Sequence, residues 1–86
     1  MKDKKIVDVI ISIGNNPKLL DKFLFDILTP KEYEEINKRW EIVNMLHSGV
    51  NQHDISKKLG VGIATVTRGS TALKNTKGGF AEILKS

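Results

Sequence analysis

The chain has 86 residues, 14 basic against 10 acidic, giving a net charge of +4 and a pI near 9.5. A monomer of this size buries only about 60 to 65% of its unfolded surface, so added stability has to come from disulfides, a metal or a second chain. The absence of cysteine removes disulfides and thiolate metal sites, and two histidines cannot build a site alone, which leaves a partner chain and fits a cytoplasmic protein.

Met1 to Lys5 followed by the apolar run Ile6 to Ile13 has the outline of a signal peptide. Asp8 interrupts that run, no small-residue cleavage site follows, and eight residues fall far below the roughly 20 that span a bilayer. A soluble, unprocessed N-terminus without membrane contact is expected. Ile6, Val9, Ile10 and Ile13 recur at helical spacing, while Val7, Val9, Ile11 and Ile13 alternate as in a strand. Nothing else in the chain offers a pairing strand, so the segment from Asp3 to Ile13 is read as a helix. Gly14-Asn15-Asn16-Pro17 ends it, because Gly and Asn tolerate left-handed geometry and the residue before proline avoids the helical region. A second helix is expected from Pro17 to Ile27, with Leu19, Leu20, Phe23, Leu24 and Ile27 as its apolar stripe.

Thr29-Pro30-Lys31-Glu32 is a full capping box: Thr at the N-cap, Pro where its missing N–H costs nothing, and Glu reaching back to the cap. The long helix it opens carries Tyr33, Ile36, Trp40, Val43 and Leu46 on one face, broadened by Ile42 and Met45. Trp40 is expected in the core or a dimer interface, and His47 near the C-terminus suits the helix dipole. The helix ends around Gly49. Asn51, with Asp54 three residues on, caps a short helix that turns Ile55 and Leu59 inward. Gly60-Val61-Gly62 then turns the chain into a helix over about Ile63 to Lys74, expected to bury Ile63, Val66 and Leu73. Thr76-Lys77-Gly78-Gly79 breaks the chain before a last helix, Phe80 to Lys85. Six helices and no strand make residues 1–86 a single all-α domain. Its composition, 40% hydrophobic and 28% charged, is that of a globular chain rather than a disordered one.

The charge is unevenly placed. Residues 51–75 hold four basic residues and one acid, and residues 28–50 hold three basic residues against four acids. That basic window coincides with a short helix, a glycine turn and a second helix, a helix-turn-helix over about 51–75. Such a motif needs apolar residues where the helices cross, here Ile55, Leu59, Val61 and Val66, and a residue free to take positive φ, here Gly60. The same spacing leaves Ala64, Thr65, Thr67 and Arg68 off the buried face. Small and hydroxyl-bearing side chains there let a helix enter the major groove, touch thymine methyls and bond base edges or phosphates. An ordinary helical hairpin in a bundle is the bland alternative. No acid/base pair, nucleophile with its base or phosphate-cradling loop is present, and His47 with His53 lacks the further ligands a metal needs, so neither an enzyme nor a metal protein is expected.

Gly62-Ile-Ala-Thr-Val-Thr-Arg-Gly-Ser70, followed by Leu73-Lys74, resembles the recognition helix of the tryptophan repressors. Leu28-Thr29-Pro30, Glu32, Arg39, Ile42-Val43, Leu46 and Gly49 also fall where that family has them, allowing one residue fewer around Val50. The resemblance covers residues 28–75, whereas over residues 1–27 only the helix order is similar. It implies an intertwined homodimer that represses transcription, with L-tryptophan as co-repressor and effector, no cofactor, and tryptophan biosynthesis and uptake genes as targets. It places Arg39 and Arg68 on the two faces of the indole, Gly69 where room is needed, Thr29 beside the ligand, and backbone carbonyls near Asp26 and Leu28 on its ammonium. A flat guanidinium stacks well on an aromatic face, and Arg68 can also pair with a carboxylate. For operator DNA it implies contacts from Gln52, His53, Val61, Gly62, Ile63, Ala64, Thr65, Thr67 and Lys74. Groove docking and water-mediated base readout are known features of that family.

The sequence departs from the pattern at three places. Ala72 stands where a Ser hydroxyl helps to bind the ligand, a hydrogen bond worth roughly 0.5 to 1.5 kcal/mol. His53 and Ser56 stand where basic side chains are usual. Each phosphate left without a cation flattens the salt dependence by about 0.9 log–log units, unless Lys57 and Lys58 compensate. Two rival readings follow: a helix-turn-helix regulator that is effector-independent or senses another small molecule, and a helical interaction dimer that does not bind DNA.

Overall fold

The computed structural model describes residues 5–85 and is helical, with no strand among the described residues. In chain order the elements are α1 (Ile6–Ile13), α2 (Pro17–Ile27), α3 (Pro30–His47), α4 (Gln52–Leu59), α5 (Ile63–Lys74) and α6 (Gly79–Lys85). The all-α reading and the order of six helices therefore hold. None of these helices is long and apolar enough to cross a membrane. The chain divides into two compact units, one running to Tyr33 and the other beginning at Glu34.

The first unit shows why local sequence sets helix ends. The helix expected from Asp3 begins at Ile6, because the Asp8 carboxylate accepts from the Lys5 N–H at 3.0 Å and makes Lys5 the N-cap; Asp3 and Lys4 lie outside the described residues. Asn16 Oδ1 accepts from the Leu19 N–H at 3.1 Å, with Pro17 at the first helical position. The Thr29 capping box forms in full: Thr29 N–H donates to Glu32 Oε1 at 2.9 Å and Glu32 N–H donates to Thr29 Oγ1 at 3.1 Å. Tyr33 meets Phe25 edge-on, with ring centroids 5.4 Å apart, and its hydroxyl donates to the Asp21 carboxylate. No residue of α1 or α2 is buried, and Ile11 and Phe25 are 70% and 58% exposed.

The second unit holds the core. Ile42 of α3, Ile55 of α4 and Val66 of α5 form one buried cluster, with Met45, Leu46, Val50, Leu59 and Val61 packed around it. Gly49, at φ 92°, ends α3 and lets the Val50 N–H return to the Met45 carbonyl at 3.0 Å. Asn51 Oδ1 accepts from the Asp54 N–H at 2.9 Å, and its amide donates to the Asp54 carboxylate at 3.0 Å. Replacing Asn51 with alanine is expected to cost about 1 kcal/mol of stability, read as a lower urea midpoint; an unchanged midpoint would show that the cap contributes nothing.

Two expectations about burial are corrected. Ile63, read as a core residue, is 43% exposed, because as the first residue of α5 it has no preceding turn to pack with. Ile36, placed on the apolar face of the long helix, is 45% exposed; Trp40, on the same face, is 37% exposed, as a residue of an interface between chains would be in one chain alone. The buried seam of α3 runs through Val43 of that face and Ile42 beside it.

Candidate functional site

Gly60 adopts φ 65° and ψ 37°, the left-handed geometry expected of the turn between α4 and α5. The Ser56 hydroxyl, half-buried, donates to the Val61 carbonyl at 2.6 Å and braces that turn from inside. Ser56 stands where a basic side chain is usual in the resembled family, and here it is committed to the fold. Val61, one of the expected DNA contacts, packs its side chain against the core cluster.

Along α5 the side chains sort by helical period. Val66 is buried and Gly69, Ser70 and Leu73 are half-buried, whereas Ile63, Ala64, Thr67, Thr71 and Lys74 form a stripe exposed to solvent. Small, hydroxyl-bearing and cationic groups on one exposed face suit close approach to a phosphate-lined groove. Gly62 precedes the stripe as the N-cap of α5, and His53 is exposed on α4. Gln52, at the first position of α4, accepts from the Thr67 hydroxyl through Oε1 at 2.8 Å. Two residues expected on DNA therefore hold one another across the motif, a juxtaposition that linear spacing did not reveal.

Behind the exposed stripe lies a cavity of about 260 Å³ between α3, α5 and α6. Arg39 stands on its α3 side and Arg68 and Gly69 on its α5 side, so three of the five expected ligand residues share one cavity. Ile42 and Val43 supply its apolar floor, and Thr65 and Ala72 extend the α5 wall. Thr65 thus borders the cavity as well as the solvent. A Cβ built on Gly69 would lie 3.1 Å from Ile42 Cγ2, a contact tight enough that Ile42 would have to give by a few tenths of an ångström, so α5 approaches α3 closely at this glycine. Leu28 and Thr29 belong to the first unit, where Leu28 is half-buried and Thr29 Oγ1 is taken up by the cap of α3.

Phe80 of α6 completes the lining. Sequence reading places it on a short amphipathic helix and gives it no role, and the only signal for it is an aromatic residue just after a double glycine. Its ring lies against Trp40, with centroids 6.1 Å apart and planes at 50°.

Arg39 of α3 and Arg68 of α5 both line a partly apolar cavity, and α5 also presents the exposed stripe. Such a cavity suits a flat, anionic small molecule, and its occupancy bears directly on α5.

Comparison with known proteins bears on the same residues. The family model for "Trp repressor protein" matches residues 4–86. A "Trp operon repressor homolog" of Vibrio campbellii is 42% identical over 73 residues, covering 84% of this chain and 72% of the relative. The homolog of Vibrio parahaemolyticus is 45% identical over 73 residues, with 84% and 70% covered. That of Chlamydia trachomatis is 39% identical over 70 residues, with 76% and 74% covered. No solved structure matches the chain.

Proposed function

The chain belongs to the Trp repressor family, and from that premise we propose that it is a cytoplasmic, homodimeric, DNA-binding repressor of transcription that L-tryptophan activates. Tryptophan biosynthesis and uptake genes are its proposed targets. The family is one of repressors of transcription, not of enzymes.

The observation that carries the ligand reading is the meeting of Arg39 and Arg68 at one cavity on the inner side of α5. At about 260 Å³ it is smaller than the roughly 300 to 1,000 Å³ of sites for drug-sized molecules, and so suits an amino acid. Two guanidinium planes can hold the faces of an indole, and Arg68 can pair with the carboxylate. Gly69 keeps the α5 wall low beside them. Leu28 and Thr29 remain proposed ligand residues on the resemblance alone. Ala72 lines the cavity without a hydroxyl, which favours a second reading in which another small aromatic acid is the effector.

Dimerisation is supported by how little of the chain is buried. Large apolar side chains such as Ile11, Phe25 and Ile27 are at least half exposed, and exposed apolar surface of this kind marks interaction sites where it is contiguous. Helix-turn-helix dimers, the tryptophan repressors among them, read half-sites about 34 Å apart, so the angle of each recognition helix decides whether both can enter the groove. A ligand seated between α3 and α5 sets that angle and shifts the population towards the binding form.

On the DNA side the proposed contacts are Gln52, His53, Val61, Gly62, Ile63, Ala64, Thr65, Thr67 and Lys74. A titration of duplex DNA across a salt series tests this. Binding is expected to weaken steeply with salt, by about 0.9 log–log units for each phosphate neutralised. Failure to bind any duplex at low salt would replace the repressor with a helical interaction dimer.

A further inference from the structure

We propose that Phe80 is the size-selecting wall of the cavity, the residue that decides how long an aromatic ring can enter between Arg39 and Arg68. This rests on the reading of the cavity as a site for a flat aromatic amino acid. Phe80 is half-buried at the start of α6, directly after Gly78-Gly79, and among the lining side chains it alone comes from that helix. Arg39 and Arg68 grip the faces of a ring and discriminate by flatness and charge, but a guanidinium on a long flexible stem is a poor gauge of length. A ring of hydrocarbon is a better one, because close-packed apolar contacts resist each added carbon. Phe80 is itself braced by Trp40, 6.1 Å away between centroids, so it cannot retreat towards α3 without displacing a second ring. Ile42 and Val43, which also line the cavity, are buried at 1% exposure each. Thr65, Gly69 and Ala72 shape the α5 wall, and Phe80 is the one large apolar ring that bounds the cavity from α6.

The test is calorimetry on the full chain with L-phenylalanine, L-tryptophan and the ring-methylated L-tryptophans, comparing wild type, Phe80→Ala and Phe80→Leu. Phe80→Leu keeps an apolar contact for α6 should the alanine variant loosen it. One carbon in a tight apolar pocket is worth roughly 10- to 200-fold in discrimination. Wild type is expected to prefer L-tryptophan over one or more of the methylated ligands by about tenfold or more. Phe80→Ala is expected to narrow that ratio by about tenfold, and Phe80→Leu to narrow it less. If L-tryptophan binds and the ratios are the same in all three proteins, the proposal is overturned while the ligand reading stands. If wild type takes none of the panel, the reading of the cavity fails and Phe80 loses its role with it.

Discussion

Replacing Arg68 with alanine is expected to lower the affinity for L-tryptophan by roughly 30- to 3,000-fold. The range follows from what the side chain would supply. Stacking of a guanidinium on an aromatic face contributes about 0.5 to 2 kcal/mol, and a hydrogen bond to a charged carboxylate about 1.5 to 3 kcal/mol. Together they amount to about 2 to 5 kcal/mol, at about 1.4 kcal/mol for each factor of ten. Arg68→Lys keeps the charge and loses the plane, and should fall between wild type and alanine. Calorimetry is the suitable readout, since Trp40 absorbs and emits with the ligand. An alanine variant that binds as wild type does would place the ligand outside the cavity that Arg68 lines.

Ile55→Ala is expected to produce the largest loss of stability, about 2 to 5 kcal/mol. Ile55 has 0% exposure and meets Ile42 and Val66 in the buried cluster that fixes α4 and α5 on α3. Small domains are stable by only about 5 to 15 kcal/mol, so the substitution removes a large part of the total. The melting temperature followed by circular dichroism should drop on the order of 10 to 30 °C. DNA affinity should weaken with it, because the same cluster holds the exposed stripe of α5 in place. A drop of only a few degrees would mean that the centre of the core lies elsewhere.

How far the sequence could be read depended on how local each determinant is. The caps at Thr29 and Asn51 and the left-handed Gly60 are decided within three or four residues, and all appear as expected. The helix ends of α2 and α5 followed from such signals too. Exposure was harder, because periodicity gives a face but not what covers it. Ile36 and Trp40 share a stripe with Val43, yet only Val43 is buried there. Within the site, Arg39 and Arg68 could be named from the resemblance, and the structure brings them to one cavity. The tight approach of Gly69 to Ile42, the Gln52–Thr67 hydrogen bond and the place of Phe80 were not legible. Each joins residues at least 15 positions apart in chain order, and no local signal encodes where the chain returns.

The claim on which the rest depends is that a ligand held behind α5 controls what its exposed face can bind. The most direct measurement is the affinity of the full chain for the palindromic duplex it selects from a random pool, with and without L-tryptophan. Affinity is expected to rise by about tenfold or more when L-tryptophan is present, a coupling of about 1.4 kcal/mol. Equal affinity in both conditions would contradict tryptophan control and leave a DNA-binding protein that responds to something else or to nothing.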